Sequence, residues 1–96
     1  MAIGLTMQFK GVGAAKYDAI MKEMGLVGNK AKWPEGIISH TAGASPDGWT
    51  VVDIWESQAH FDKFFAGRLK PAFDKVGGMP QPQVGHFSVH NQYRPG

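Results

Sequence analysis

Apolar and polar residues alternate at the start of the chain. Ile3, Leu5, Met7 and Phe9 share one phase, and Gly4, Thr6, Gln8 and Lys10 the other. That period of two predicts a half-buried strand from Ala2 to Lys10. Gly11-Val12-Gly13 interrupts it, and the period then lengthens. Tyr17, Ile20, Met21 and Met24 fall at i, i+3, i+4 and i+7, an apolar stripe on a helix from about Ala14 to Met24, with Gly25 as its stop. A loop containing Asn29 and Trp33-Pro34 leads to a second strand, Gly36 to Ala42. Ser45-Pro46-Asp47-Gly48 is turn chemistry and joins it as a hairpin to a third strand, Trp49 to Trp55. Ser57 suits the N-cap of a second helix, whose period is kept by Phe61, Phe64, Phe65, Leu69, Ala72, Phe73 and Val76. Pro71 lies inside that pattern and predicts a kink or a restart. After a Gly- and Pro-rich loop, a fourth strand is expected from Gln83 to Gln92, with Val84, His86, Ser88 and His90 in one phase.

The order is βαββαβ, an α+β, ferredoxin-like arrangement: a four-stranded antiparallel sheet with two helices on one face. On the third strand both phases are apolar, Trp49, Val51 and Trp55 on one and Val52 and Ile54 on the other. The face without helices therefore needs a cover, and pairing of two sheets in a homodimer is the simplest one. The 96 residues suffice for a single domain, 1–96, that gains from such pairing because a chain of this size buries a limited share of its surface.

Composition narrows the chemistry. There is no cysteine, which removes disulfides and thiolate catalysis and is compatible with a reducing, cytoplasmic compartment. The first ten residues, MAIGLTMQFK, lack a basic leader and a long apolar run, so neither a signal peptide nor a membrane anchor is expected. The net charge of +2 is spread along the chain without a basic stripe, so no nucleic-acid partner is expected. Lys10-Gly11-Val12-Gly13 echoes a phosphate turn but lacks the third glycine, and reads as a flexible connection.

Four histidines and one aspartate are the candidates for chemistry. His60 belongs to the first turn of the second helix and reads as a solvated side chain. His86 and His90 share a strand phase but are roughly 13 Å apart, too far to ligate one metal, and no metal is expected. Asp53 stands in the phase of Val51 and Trp55, a carboxylate among large apolar groups, which is costly unless it is paired. Facing a cavity, it would act as a base or orient a histidine; at the rim of the sheet, it would bond a backbone amide or a dimer partner's cation. Whether His40 shares its face depends on the register of the hairpin, which a shift of one residue reverses.

The third strand ending in Trp55-Glu56-Ser57, the Phe-rich helix with Phe61, Phe64, Leu69 and Pro71, and the closing Val89-His90-Asn91 resemble the dimeric α/β-barrel superfamily. Within it they resemble small proteins of the antibiotic-biosynthesis-monooxygenase type. The resemblance implies dimerisation into an α/β barrel and a small organic ligand held between sheet and helices. Haem degradation in that superfamily requires an Asn on the first strand, and a Trp and a His in the second helix. Here the strand has no Asn, and Phe64 and Asp74 occupy the helix positions. What the resemblance leaves is oxidation of a phenolic or aromatic metabolite by dioxygen without a cofactor. His40 or His86 would be the base and Asp53 its orienter, with Trp55, Phe64 and His90 against the substrate. The alternative is a non-catalytic ligand-binding or stress-linked module. The enzymatic reading requires a ligand-sized cavity on which at least two polar groups converge.

Overall fold

The computed structural model describes residues 2–28 and 32–93; Asn29, Lys30 and Ala31 of the expected loop lie outside the described residues. The elements follow one another as β1 Ile3–Lys10, α1 Ala14–Glu23, β2 Ile37–Ser45, β3 Gly48–Trp55, α2 Gln58–Phe64, a π-helical stretch Phe65–Leu69, α3 Lys70–Val76 and β4 Gln83–Ser88. The strands form one antiparallel sheet in the order β2-β3-β1-β4, with the helices on one face. This is the ferredoxin-like arrangement that the hydrophobic pattern predicts.

Two residues, Pro46 and Asp47, connect β2 to β3, and Ser45 pairs with Gly48. Gly48 is required there by close approach. A Cβ on it would come within 2.1 Å of the Phe9 carbonyl oxygen, because β1 runs directly alongside and Gly11 N–H donates to Asp47 O at 2.8 Å. The short turn fixes the hairpin register, so that Ala42 opposes Val51 and His40 opposes Asp53. Further along, a bulge between Ile37 and Ser39 brings Ile37 opposite Trp55.

The helices end and bend where the sequence says they must. At Gly25, φ is +74°, and Leu26 N–H reaches back to Met21 O, closing α1 with a left-handed residue that favours glycine. Ser57 caps α2 by accepting from His60 N–H at 3.2 Å. The structural answer to Pro71 is the π-helical stretch just before it. Lys70 N–H bonds Phe65 O, five residues back, and this wider turn takes up the missing donor and the ring's bulk without a sharp break.

β4 is shorter than expected. Its last ladder pair is Ser88 with Ile3, where β1 begins, followed by one bond from Val89 N–H to Ala2 O at 2.9 Å. His90 therefore lies beyond the strand. Leu5, Met7, Phe9, Val51 and Trp55 from the sheet pack on Ile20, Phe61, Leu69 and Ala72 from the helices. The opposite face carries Val52 and Phe87, the latter 51% exposed with its ring over Gly4, where a Cβ would make the ring swing aside. No helix among the described residues is long and apolar enough to cross a membrane.

Candidate functional site

A chain of hydrogen bonds runs from α1 to the centre of the sheet. The Tyr17 hydroxyl is 2.6 Å from His40 Nε2, and His40 Nδ1 is 2.6 Å from Asp53 Oδ1. Trp55 Nε1–H donates to the other carboxylate oxygen, Oδ2, at 3.3 Å. A carboxylate accepts but cannot donate, so His40 Nδ1 carries a proton and donates to Asp53. In the neutral imidazole Nε2 is then the acceptor of the Tyr17 O–H.

Each member owes its place to a local cause. Asp53 is 3% exposed because β3 is an inner strand covered by helices on this face. His40 reaches it because the two-residue turn sets the register; its side chain is 18% exposed, on edge strand β2. Tyr17 leans across from the apolar stripe of α1, its ring stacked near His40 at 6.1 Å between centroids and near Trp49 at 5.2 Å. Trp33 closes over the histidine at 5.1 Å. Burial, and after it the negative charges of Asp53 and Asp18, raise the Tyr17 phenol above its ordinary pKa. The tyrosine thus holds its proton firmly and remains the donor to His40.

Tyr17, His40 and Asp53 line a cavity between sheet and helices whose other walls are apolar, including Val51, Phe64 and Phe73. Its open space is about 50 Å3, room for water but far below the ~300–1,000 Å3 of a typical ligand pocket. The required convergence of polar groups is present; the required volume is not present in this conformation. Four of the chain's five methionines, Met7, Met21, Met24 and Met79, line the cavity. Their unbranched side chains change rotamer at little cost, which makes this wall adaptable.

The structure gathers His40, Asp53 and Phe64 at the cavity and seats Trp55, fully buried at 0% exposure, behind Asp53 as its second donor. Trp55 is thus a support for the carboxylate rather than a wall residue. His86 and His90 are not brought there. His86 is exposed on β4, opposite Leu5, three strand positions from β2 and so roughly 14 Å across the sheet. His90, expected in strand four, is exposed past its end. His60 does more than meet solvent: its Nδ1 lies 2.6 Å from Ser57 Oγ at the N-cap. Among the described residues no group of three or more His, Asp or Glu side chains is placed to hold a metal ion. The sequence presents Tyr17 and Trp49 as aromatic residues of the core or of a pocket wall, and not as hydrogen-bonding members of the site. The signal that could have found them is a hydroxyl and an indole N–H on apolar faces, each needing a partner when buried.

Sheet order and helix placement are those of a group of solved structures that includes antibiotic-biosynthesis-monooxygenase-like proteins. No family model matches the sequence, and no curated protein does. Among solved structures, a mutant form of SnoaB, a cofactor-independent oxygenase from Streptomyces nogalater, superposes with a TM-score of 0.68 at 14% identity, over 95% of both chains. The ActVA-Orf6 monooxygenase of Streptomyces coelicolor, in complex with the ligand nanaomycin D, gives a TM-score of 0.58 at 20% identity, over 99% of this chain and 92% of its own. Rv0793 from Mycobacterium tuberculosis gives 0.68 at 12% identity, over 98% and 100%. At these identities the likeness is one of fold.

Proposed function

We propose that this protein binds a small aromatic molecule between sheet and helices and oxidises it with dioxygen, as a cofactor-independent monooxygenase of phenolic or aromatic metabolites. The observation that carries the reading is the Tyr17–His40–Asp53 chain opening onto an otherwise apolar cavity. Its likeness in fold to SnoaB supports the reaction class. Residue by residue, His40 is the base. A substrate hydroxyl takes the place of the Tyr17 hydroxyl at Nε2 and gives up its proton there. Asp53 holds the ring in the required tautomer and stabilises the imidazolium that forms, while Trp55 keeps Asp53 in position. The phenolate is electron-rich enough to react with dioxygen. One oxygen atom joins the ring as a quinone carbonyl, and the other leaves as water with the hydroxyl hydrogen and one ring hydrogen. Phe64 packs the ring, and the methionine wall gives way to admit it. The sheet face carrying Val52 and Phe87 joins a second copy to form a homodimer.

Anthrone, whose enol form is a phenol, tests the reaction in an oxygen electrode. The expected result is one dioxygen consumed per quinone formed, with the rate falling about a hundredfold in His40→Ala. Uptake equal to that of buffer, or unaffected by the substitution, would sink the proposal. The small volume of the cavity favours a second reading, a ligand-binding module whose polar chain only satisfies buried groups. Binding of anthrone without oxygen uptake would support it.

A further inference from the structure

Trp49 lines the same cavity as Tyr17 and His40, and its indole Nε1 is buried without a hydrogen-bond partner among the described residues. Buried donors are nearly always paired, and an orphan one gives up its water for nothing in return. Here the neighbours explain why. Trp49 lies opposite Phe9 on β1 and Ala44 on β2, and the Tyr17 ring covers it, so apolar groups surround it. Asp53 is four residues along the same strand and face, roughly 13 Å along the backbone, with Val51 as the floor between. The Tyr17 ring stands between the His40 and Trp49 rings, 6.1 Å from one centroid and 5.2 Å from the other. The cavity thus has a proton-accepting pair at one end and an unused donor towards the other. The span suits a fused two- or three-ring skeleton.

We infer that the Trp49 indole N–H is the second polar anchor of the ligand site. It donates to a carbonyl oxygen, or to the oxyanion that oxygen becomes, at the end of the molecule remote from His40. The inference rests on the reading that the cavity takes an aromatic ligand, and it narrows that ligand to one bearing an acceptor oxygen. The donor atom is shielded from bulk solvent, so bulk water competes little for this bond. Its effect on affinity therefore lies at the upper end for a neutral hydrogen bond, about tenfold. Were the acceptor to gain negative charge during reaction, the same donor would bind it more strongly still.

α-Tetralone and tetralin, the same two-ring skeleton with and without a carbonyl, test this by calorimetry without any turnover. The unaltered protein is expected to bind α-tetralone about tenfold more tightly than tetralin. Trp49→Phe keeps an aromatic six-membered ring and deletes the donor. It should abolish that preference, with the smaller side chain changing the affinity for both probes alike. In the unaltered protein, the Trp49 indole proton should shift downfield in NMR spectra with α-tetralone and stay in place with tetralin, a readout that survives even if the variant fails to fold. A preference retained in Trp49→Phe, or equal binding of both probes by the unaltered protein, overturns the Trp49 assignment alone. Binding of neither probe overturns the aromatic-ligand reading, and the assignment with it.

Discussion

Asp53 is a carboxylate almost wholly removed from water, tolerable because two N–H donors hold it. The sequence already marked it, since one charge in a run of Trp, Val and Ile demands a partner. Tyr17 was not marked, because helical periodicity records which face a side chain occupies and not what its hydroxyl meets on another element. Its titration gives a residue-scale prediction. Burial and the nearby carboxylates raise the folded-state pKa, whereas an unfolded chain releases the phenolic proton at about 10. Above that pH the unfolded state binds fewer protons than the folded state, so stability falls as pH rises; below it the contribution is intact. Relative to Tyr17→Phe, the unaltered protein should gain roughly 1 kcal/mol that stays flat up to about pH 9 and shrinks beyond about pH 10. Urea titrations across that range measure the difference, and a difference independent of pH would contradict the assignment.

The hairpin decides whether there is a site at all. The turn residues were legible in the sequence, but the register was not, because it depends on how many residues the turn spends between the ladders. With only Pro46 and Asp47 outside the strands, His40 falls opposite Asp53. One residue more in the turn would send it to the other face. The expected kink at Pro71 was legible as a disturbance, but its form was not: the widened turn at Phe65–Leu69 arises from backbone bonds that no periodicity encodes. Strand four is shorter than its alternation predicts, because the pattern continues past Ser88, whereas its ladder ends where β1 runs out of residues. At this scale Gly48→Ala is the informative change. Its Cβ meets a backbone oxygen that cannot move without β1, so the variant should lose about 2 kcal/mol. Gly43→Ala, with open space around its Cβ, should change stability by less than about 0.5 kcal/mol. Equal urea midpoints for the two variants would refute this account of the turn.

Across the whole molecule, one face of the sheet is filled by helices and the other shows Val52, 38% exposed, and the ring of Phe87. The need for a cover was legible in the doubly apolar third strand. Sedimentation should find a dimer, and Val52→Lys should shift it to monomer and lower the melting temperature. A monomer in the unaltered protein would remove the homodimer from the account. The helix-covered face carries the central claim, that His40 takes the proton of a phenol bound beside Tyr17 and Asp53 in an apolar, adaptable cavity. The most direct measurement is the visible absorbance of para-nitrophenol, bound under nitrogen at a pH below its own pKa, so that oxygen chemistry plays no part. The account predicts that the protein increases the phenolate absorbance and that His40→Ala does not. No increase with the unaltered protein, or the same increase with His40→Ala, would contradict it.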